Sequence, residues 1–94
     1  MLKWPQKDPQ EVLDYTIDWA DALGADTIVT SSFTVDDLES GLVINSFSNN
    51  NSQSIVWLSG GNLNTTGIVT CTITTAGGRT RQASAQLKIK STGV

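Results

Sequence analysis

Serine and threonine hydroxyls are the most abundant side chains here that could act as nucleophiles, and such a hydroxyl needs a base beside it. The sequence contains no histidine, and Lys88 and Lys90, the lysines near the Thr-rich stretch, fall on the solvent phase of their strand. Paired carboxylates for acid–base work could come from Asp36 and Asp37, or from Asp14, Asp18 and Asp21. Their settings read more simply as a loop and a solvated strand end. Asp36, Asp37 and Glu39 share a loop of the kind that binds calcium weakly, but the spaced D-x-D-x-D-G pattern of a dedicated site is missing. Cys71 is the one cysteine, which excludes an internal disulfide and a Cys/His zinc site, and its apolar strand position makes it a small core residue. Gly77-Gly78 lacks the following helix and the Lys-Ser/Thr pair of a phosphate cradle. The expectation is a protein that is not an enzyme and carries no cofactor or metal. What remains is chemistry of contact: the candidate partner-binding residues are Trp4, Ile55, Trp57, Arg79 and Arg81, types enriched at interfaces.

These residues must be positioned by strands, and the clearest strands run from Gly67 to Lys90. Val69, Cys71 and Ile73 alternate with Thr70, Thr72 and Thr74, and Ala83, Ala85, Leu87 and Ile89 alternate with Ser84, Gln86, Lys88 and Lys90. Period two with one apolar side means half-buried β-strands. The turn between them fixes the register. A two-residue Gly77-Gly78 loop would set Cys71 opposite Ser84, core against solvent. A three-residue loop, Ala76-Gly77-Gly78, sets Cys71 opposite Ala83 and Val69 opposite Ala85, and puts Gly78 where a G1 bulge needs a left-handed residue. The second register is preferred.

The rest of the chain reads as further short strands. Residues 1–11 hold Pro5 and Pro9 and form an extended arm, because proline removes donors and biases its predecessor away from helix. Leu2 and Trp4 on that arm either dock into a partner or fold back over the domain's own open edge. Residues 12–90 form the domain and 91–94 a short tail. Asp14 to Trp19 is a strand followed by a bend over Ala20 to Ala25, with Tyr15 and Trp19 in the core. Thr27 to Val35 is the next, with Val29, Ser31, Phe33 and Val35 on one side. Leu42 to Ser48 and Ser54 to Ser59 follow, separated by the Asn49-Asn50-Asn51-Ser52 turn. If Val56 and Leu58 face the core, Ile55 and Trp57 stand outside. Six strands divided by Gly, Asn, Asp and Ser clusters predict an all-β fold, a small antiparallel β-sandwich of immunoglobulin-like spacing, without the Cys, Trp and tyrosine-corner signature of antibody domains.

Ninety-four residues suffice for one domain with one core. The formal charge of −3 is unevenly spread: nine acids and two lysines give −7 up to Glu39, and Arg79, Arg81, Lys88 and Lys90 give +4 beyond it. Two readings fit, an acidic first strand packed near a basic last strand, or head-to-tail contact between subunits. Four scattered basic groups do not make a nucleic-acid footprint. No run reaches transmembrane length and Met1 to Pro5 is no signal peptide, so no membrane partner is expected and the protein should be made, or assembled, in the cytosol. The Asn50 and Asn64 sequons accordingly read as turns.

Taken as a string, Lys7-Asp8-Pro9 with Glu11, Asp14-Tyr15, Asp18-Trp19, Leu23 and Asp26-Thr27-Ile28 resembles the opening of a family of small tailed-phage and prophage proteins. Gly41-Leu42, Val56-Trp57-Leu58-Ser59-Gly60-Gly61 and Ile73-Thr74-Thr75-Ala76-Gly77-Gly78-Arg79-Thr80 continue the likeness, which covers about residues 7 to 90. Members are described as virion structural proteins or fibre-tail adaptors. Two positions depart from the pattern: Ala25 stands where glycine is expected and Phe33 where tryptophan is usual. The resemblance implies a non-enzymatic virion part, assembled in the bacterial host cytoplasm and present in multiple copies in a symmetric assembly. It would join fibres or spikes to the tail or neck, contact other virion proteins, and carry an arm that orders only on assembly. Two alternatives are a capsid decoration protein and a carbohydrate-binding module using Trp57 with Asn62 and Asn64.

Overall fold

The computed structural model describes residues 2–35 and 40–91. Among the described residues seven strands and one short α-helix follow in order: β1 (Leu2–Lys3), β2 (Leu13–Asp18), α1 (Ala20–Leu23), β3 (Ile28–Val35), β4 (Leu42–Asn49), β5 (Gln53–Gly60), β6 (Thr65–Thr75) and β7 (Thr80–Ile89). They form two sheets, one in the order β1-β7-β6-β3 and the other β2-β5-β4. The inner faces pack on each other through Tyr15, Ile17, Trp19, Phe33, Val56, Leu58, Val69, Cys71, Ile73, Leu87 and Ile89, so the fold is an all-β sandwich. The acidic loop with Asp36, Asp37 and Glu39 and most of the 91–94 tail lie outside the described residues.

The β6–β7 hairpin adopts the register set by its apolar pattern: Cys71 pairs with Ala83 and Val69 with Ala85. The Gly78 amide donates to the Thr75 carbonyl at 3.0 Å, the Thr75 amide to the Arg79 carbonyl at 2.9 Å, and Gly78 takes φ +83°. A left-handed residue at that position lets a three-residue loop match the twist of the strands. Trp19 and Tyr15 lie in the core, and the Trp19 indole N–H is satisfied there by the Ser54 hydroxyl at 3.1 Å, itself 2.8 Å from the Ser31 hydroxyl.

Two local expectations are corrected. Val29 does not join Phe33 and Val35 inside, because the β3–β6 register shifts between Ile28 and Thr30. That bulge keeps Ile28 buried and turns Val29 out. The segment after Trp19 is a helical turn, α1, rather than a plain bend.

The arm folds back on its own domain. β1 pairs in parallel with β7, Leu2 with Ala85 and Lys3 with Gln86. The Trp4 amide donates to Gln86, the Lys7 amide to Lys88, and the Lys90 amide to Lys7, each at 2.9 Å. An arm ordered only on assembly is therefore not what the isolated chain shows. Trp4 stacks on Tyr15 with ring centroids 4.8 Å apart, and the Tyr15 hydroxyl donates to the Pro5 carbonyl at 3.2 Å. Burial of that phenol, with Glu11 and Asp14 nearby, pushes its pKa up to about 12.

Candidate functional site

The Lys7-Asp8-Pro9 motif with Glu11 ties the two sheets together. Asp8 to Glu11 is a β-turn with proline at its second position: the Glu11 amide donates to the Asp8 carbonyl at 3.0 Å. The Asp8 side chain accepts from the Gln10 amide, and the Glu11 carboxylate accepts from the Asp8 amide, both at 2.8 Å. Lys7 is fully buried, with its ammonium donating to the Gly60 carbonyl at 2.6 Å and the Asp8 carbonyl at 2.9 Å. Desolvation lowers its pKa, while the charges of Glu11 and Asp8 oppose the shift. A lysine in a proline-rich arm reads as solvated, so its structural role carried no signal in composition. Gly61 follows at φ +110°, and a Cβ there would meet Ile89 Cδ1 at 2.7 Å, which accounts for the glycine of the Ser59-Gly60-Gly61 string.

A second motif organises the opposite end. Asp26 accepts from the Gly77 and Thr27 amides at 2.9 Å each and from Arg79 Nη1 at 3.1 Å. Hydrogen bonding from the Thr75 hydroxyl first, then from Gly77, Thr27 and Arg79, holds its carboxyl down at about 2. The aspartate of Asp26-Thr27-Ile28 thus clamps the Ala76-Gly77-Gly78-Arg79 turn, joining two strings that are 51 residues apart for the Asp26–Gly77 bond. Arg79, whose side chain is 64% exposed, has its guanidinium on Asp26, and Arg81 Nη1 reaches the Ala22 carbonyl at 3.4 Å. With Ala22, Leu23 and Ala25 they line a hollow of about 310 Å³ at this end. Both candidate arginines thus already have partners inside the domain, Asp26 for Arg79 and the Ala22 carbonyl for Arg81.

The outward aromatic face is resolved by burial. Val56 and Leu58 are fully enclosed, Ile55 is half-buried and Trp57 is 43% exposed. Trp57 sits on the central strand of its sheet, flanked cross-strand by Asp14 on β2 and Ser46 on β4. A register shift between Ile44 and Ser46 keeps Val43, 53% exposed, on the same outer face and lets Ser59 donate to Asn45 Oδ1 at 2.8 Å. Thr16 and Asp18 complete the β2 row on that side. Trp4, by contrast, is partly covered on Tyr15 and lies on the other sheet's flank. The five candidate residues therefore fall in three places: Ile55 and Trp57 on one face, Arg79 and Arg81 at one end, and Trp4 beside β7.

The one thiol is set in the core. Cys71 is buried against Ser54, and burial pushes its thiol up, away from the thiolate that reacts. Among the described residues no group of three or more His, Cys, Asp or Glu is placed to hold a metal, and no helix is long and apolar enough to cross a membrane.

A family model described as podophage GP4 fiber-tail adaptor protein gp77 matches residues 7–88. The chain belongs to that family. The matched span begins at Lys7, the buried tie between the sheets, and ends at Lys88, whose carbonyl accepts from the Lys7 amide. The matched span thus takes in β2 to β6 and nearly all of β7, with the Lys7 tie and the Asp26 clamp inside it. No curated protein matches the chain.

Proposed function

We propose that this adaptor is a non-enzymatic virion component that joins fibres or spikes to the tail or neck of a podophage-like particle and is present in multiple copies. The observation that carries the reading is the family match over residues 7–88. The geometry supports it in a specific way. The motif residues are spent on rigidity, which leaves the flat outer surfaces of the two sheets, with Trp57 and Ile55 on one, as the places where virion proteins would meet it. The 1–11 arm belongs to the folded unit in this reading, and assembly takes place in the host cytoplasm.

Immunogold electron microscopy of particles carrying this protein tests the location. Label at the neck, tail or fibre junction supports the adaptor role, label over the head would make it a decoration protein, and unlabelled particles would refute a virion role. Trp57→Ala is expected to give particles that fail to acquire fibres while the purified protein stays folded.

A further inference from the structure

The two outer surfaces of the sandwich carry opposite charge. Residues paired across strands share a face, so the outer side of the β2-β5-β4 sheet presents Asp14, Thr16 and Asp18 beside Ile55, Trp57 and Val43. The outer side of the other sheet presents Lys3 next to Gln86, with Lys88 and Lys90 in the same alternation along β7. Among the described residues, no ion pair links the β2 aspartates to the lysines of β1 and β7, and the Asp26–Arg79 pair belongs to the end of the sandwich. The acidic first strand is therefore not neutralised by the basic last strand of the same chain. The exposed charge of each face is left for something outside the domain.

Shape follows charge. Lys3, Trp4, Gln6, Gln86 and Lys88 line a cleft of about 280 Å³ on the basic flank. Cavities of roughly 150 Å³ already hold an aromatic ring, so this one has room for an indole. Its lysines also offer ammonium groups to a ring face. The acidic face supplies the matching part, an exposed indole with an aspartate directly across the strand from it.

We propose that copies of this chain associate head to tail, the Trp57 face of one copy docking on the β1–β7 face of the next. Trp57 enters the cleft lined by Lys3, Trp4 and Lys88, and Asp14 and Asp18 meet the lysines around it. A contact between two different faces is heterologous: it closes into a ring where the rotation allows and otherwise propagates. This deepens the multi-copy part of the adaptor reading, and its test uses the purified chain and no particle, so either can fail without the other.

The test is sedimentation of the full chain at low and high salt, with two charge variants. Wild type is expected to self-associate at low salt and to dissociate near 1 M salt, where the screening length falls to about 3 Å. D14K/D18K makes both faces basic and K3E/K88E makes both acidic, so each alone is expected to be a monomer with unchanged circular dichroism. An equimolar mixture of the two is expected to associate again, a rescue that misfolded variants would not give. W57A is expected to weaken association by about 30-fold or more, the loss that marks a hot spot. A wild type that stays monomeric at low salt, charge variants that associate as wild type does, or a mixture that stays monomeric would each overturn the proposal.

Discussion

Replacing Lys7 tests how far the fold depends on a buried ammonium. Its side chain is fully enclosed and donates to main-chain carbonyls at 2.6 and 2.9 Å, one on β5 and one in the arm. Hydrogen bonds from a charged donor contribute about 1.5–3 kcal/mol each, set against a desolvation cost of several kcal/mol for burying the charge. Lys7→Ala removes both bonds and the packing of the stem, and it leaves the Gly60 carbonyl without this donor, a net loss of about 3 kcal/mol. Lys7→Met restores the stem and spares the cost of burying a charge, so its loss is about 1–2 kcal/mol. For a domain of this size either is a large share of a total near 5–15 kcal/mol. The assay is urea unfolding followed by tryptophan fluorescence, with limited proteolysis reporting release of the arm. The lowered pKa of Lys7 adds a sign. The unfolded chain holds that proton more tightly than the folded one, so this group makes stability rise with pH just below the ordinary lysine value of 10.5, and Lys7→Met removes that rise. If Lys7→Ala and Lys7→Met both stay within about 0.5 kcal/mol of wild type, as ordinary surface substitutions do, the tie has no structural weight.

Three further outcomes are expected. The Asp26 carboxyl titrates near 2 in the folded chain against an ordinary 3.8, so its contribution is complete above about pH 4 and disappears as pH falls through 2; Asp26→Asn should flatten that part of the urea-midpoint profile against pH. Tyr15 is raised to about 12 from 10.0, so its contribution holds below 10 and is lost as pH rises towards 12; absorbance titration should find the phenol ionising near 12, and Tyr15→Phe should abolish that step. Trp19→Ala should cost about 3–5 kcal/mol in chemical denaturation, because it empties a core site and removes the donor to Ser54.

The parts of the fold legible in the sequence were those where two independent rules agreed. The hairpin register needed both the inward Val69, Cys71, Ala83 and Ala85 and a left-handed glycine at 78, and each demanded the same loop length. Trp57 was undecided because Ile55 to Leu58 is apolar throughout, and alternation says nothing until the strand has neighbours on both sides. Val29 was misplaced because a bulge inserts one residue into an otherwise regular alternation, and no residue type announces it. Of the contact residues, Ile55 and Trp57 stand outward only on the condition that Val56 and Leu58 face the core, and the burial of those two meets that condition. The acceptors of Arg79 and Arg81, Asp26 and the Ala22 carbonyl, lie 53 and 59 residues away, so nothing local in the sequence announces them. β1 left almost no trace, since two residues beside a proline form a strand only when a parallel edge is there to receive them.

That last pairing also sets an order of events. Leu2 meets Ala85 and Lys7 meets Ile89, so the arm closes against a strand more than eighty positions further along the chain. Contacts of such sequence separation are slow to form, because the whole intervening chain must be brought to loop closure first. On the ribosome the β2 to β6 segments can collapse while the arm still waits, and only when β7 emerges can the arm lock and Trp4 cover Tyr15. Until that edge exists the arm has nothing to pair with, so the Trp4 cover over Tyr15 is set in place only after the sandwich beneath it has formed.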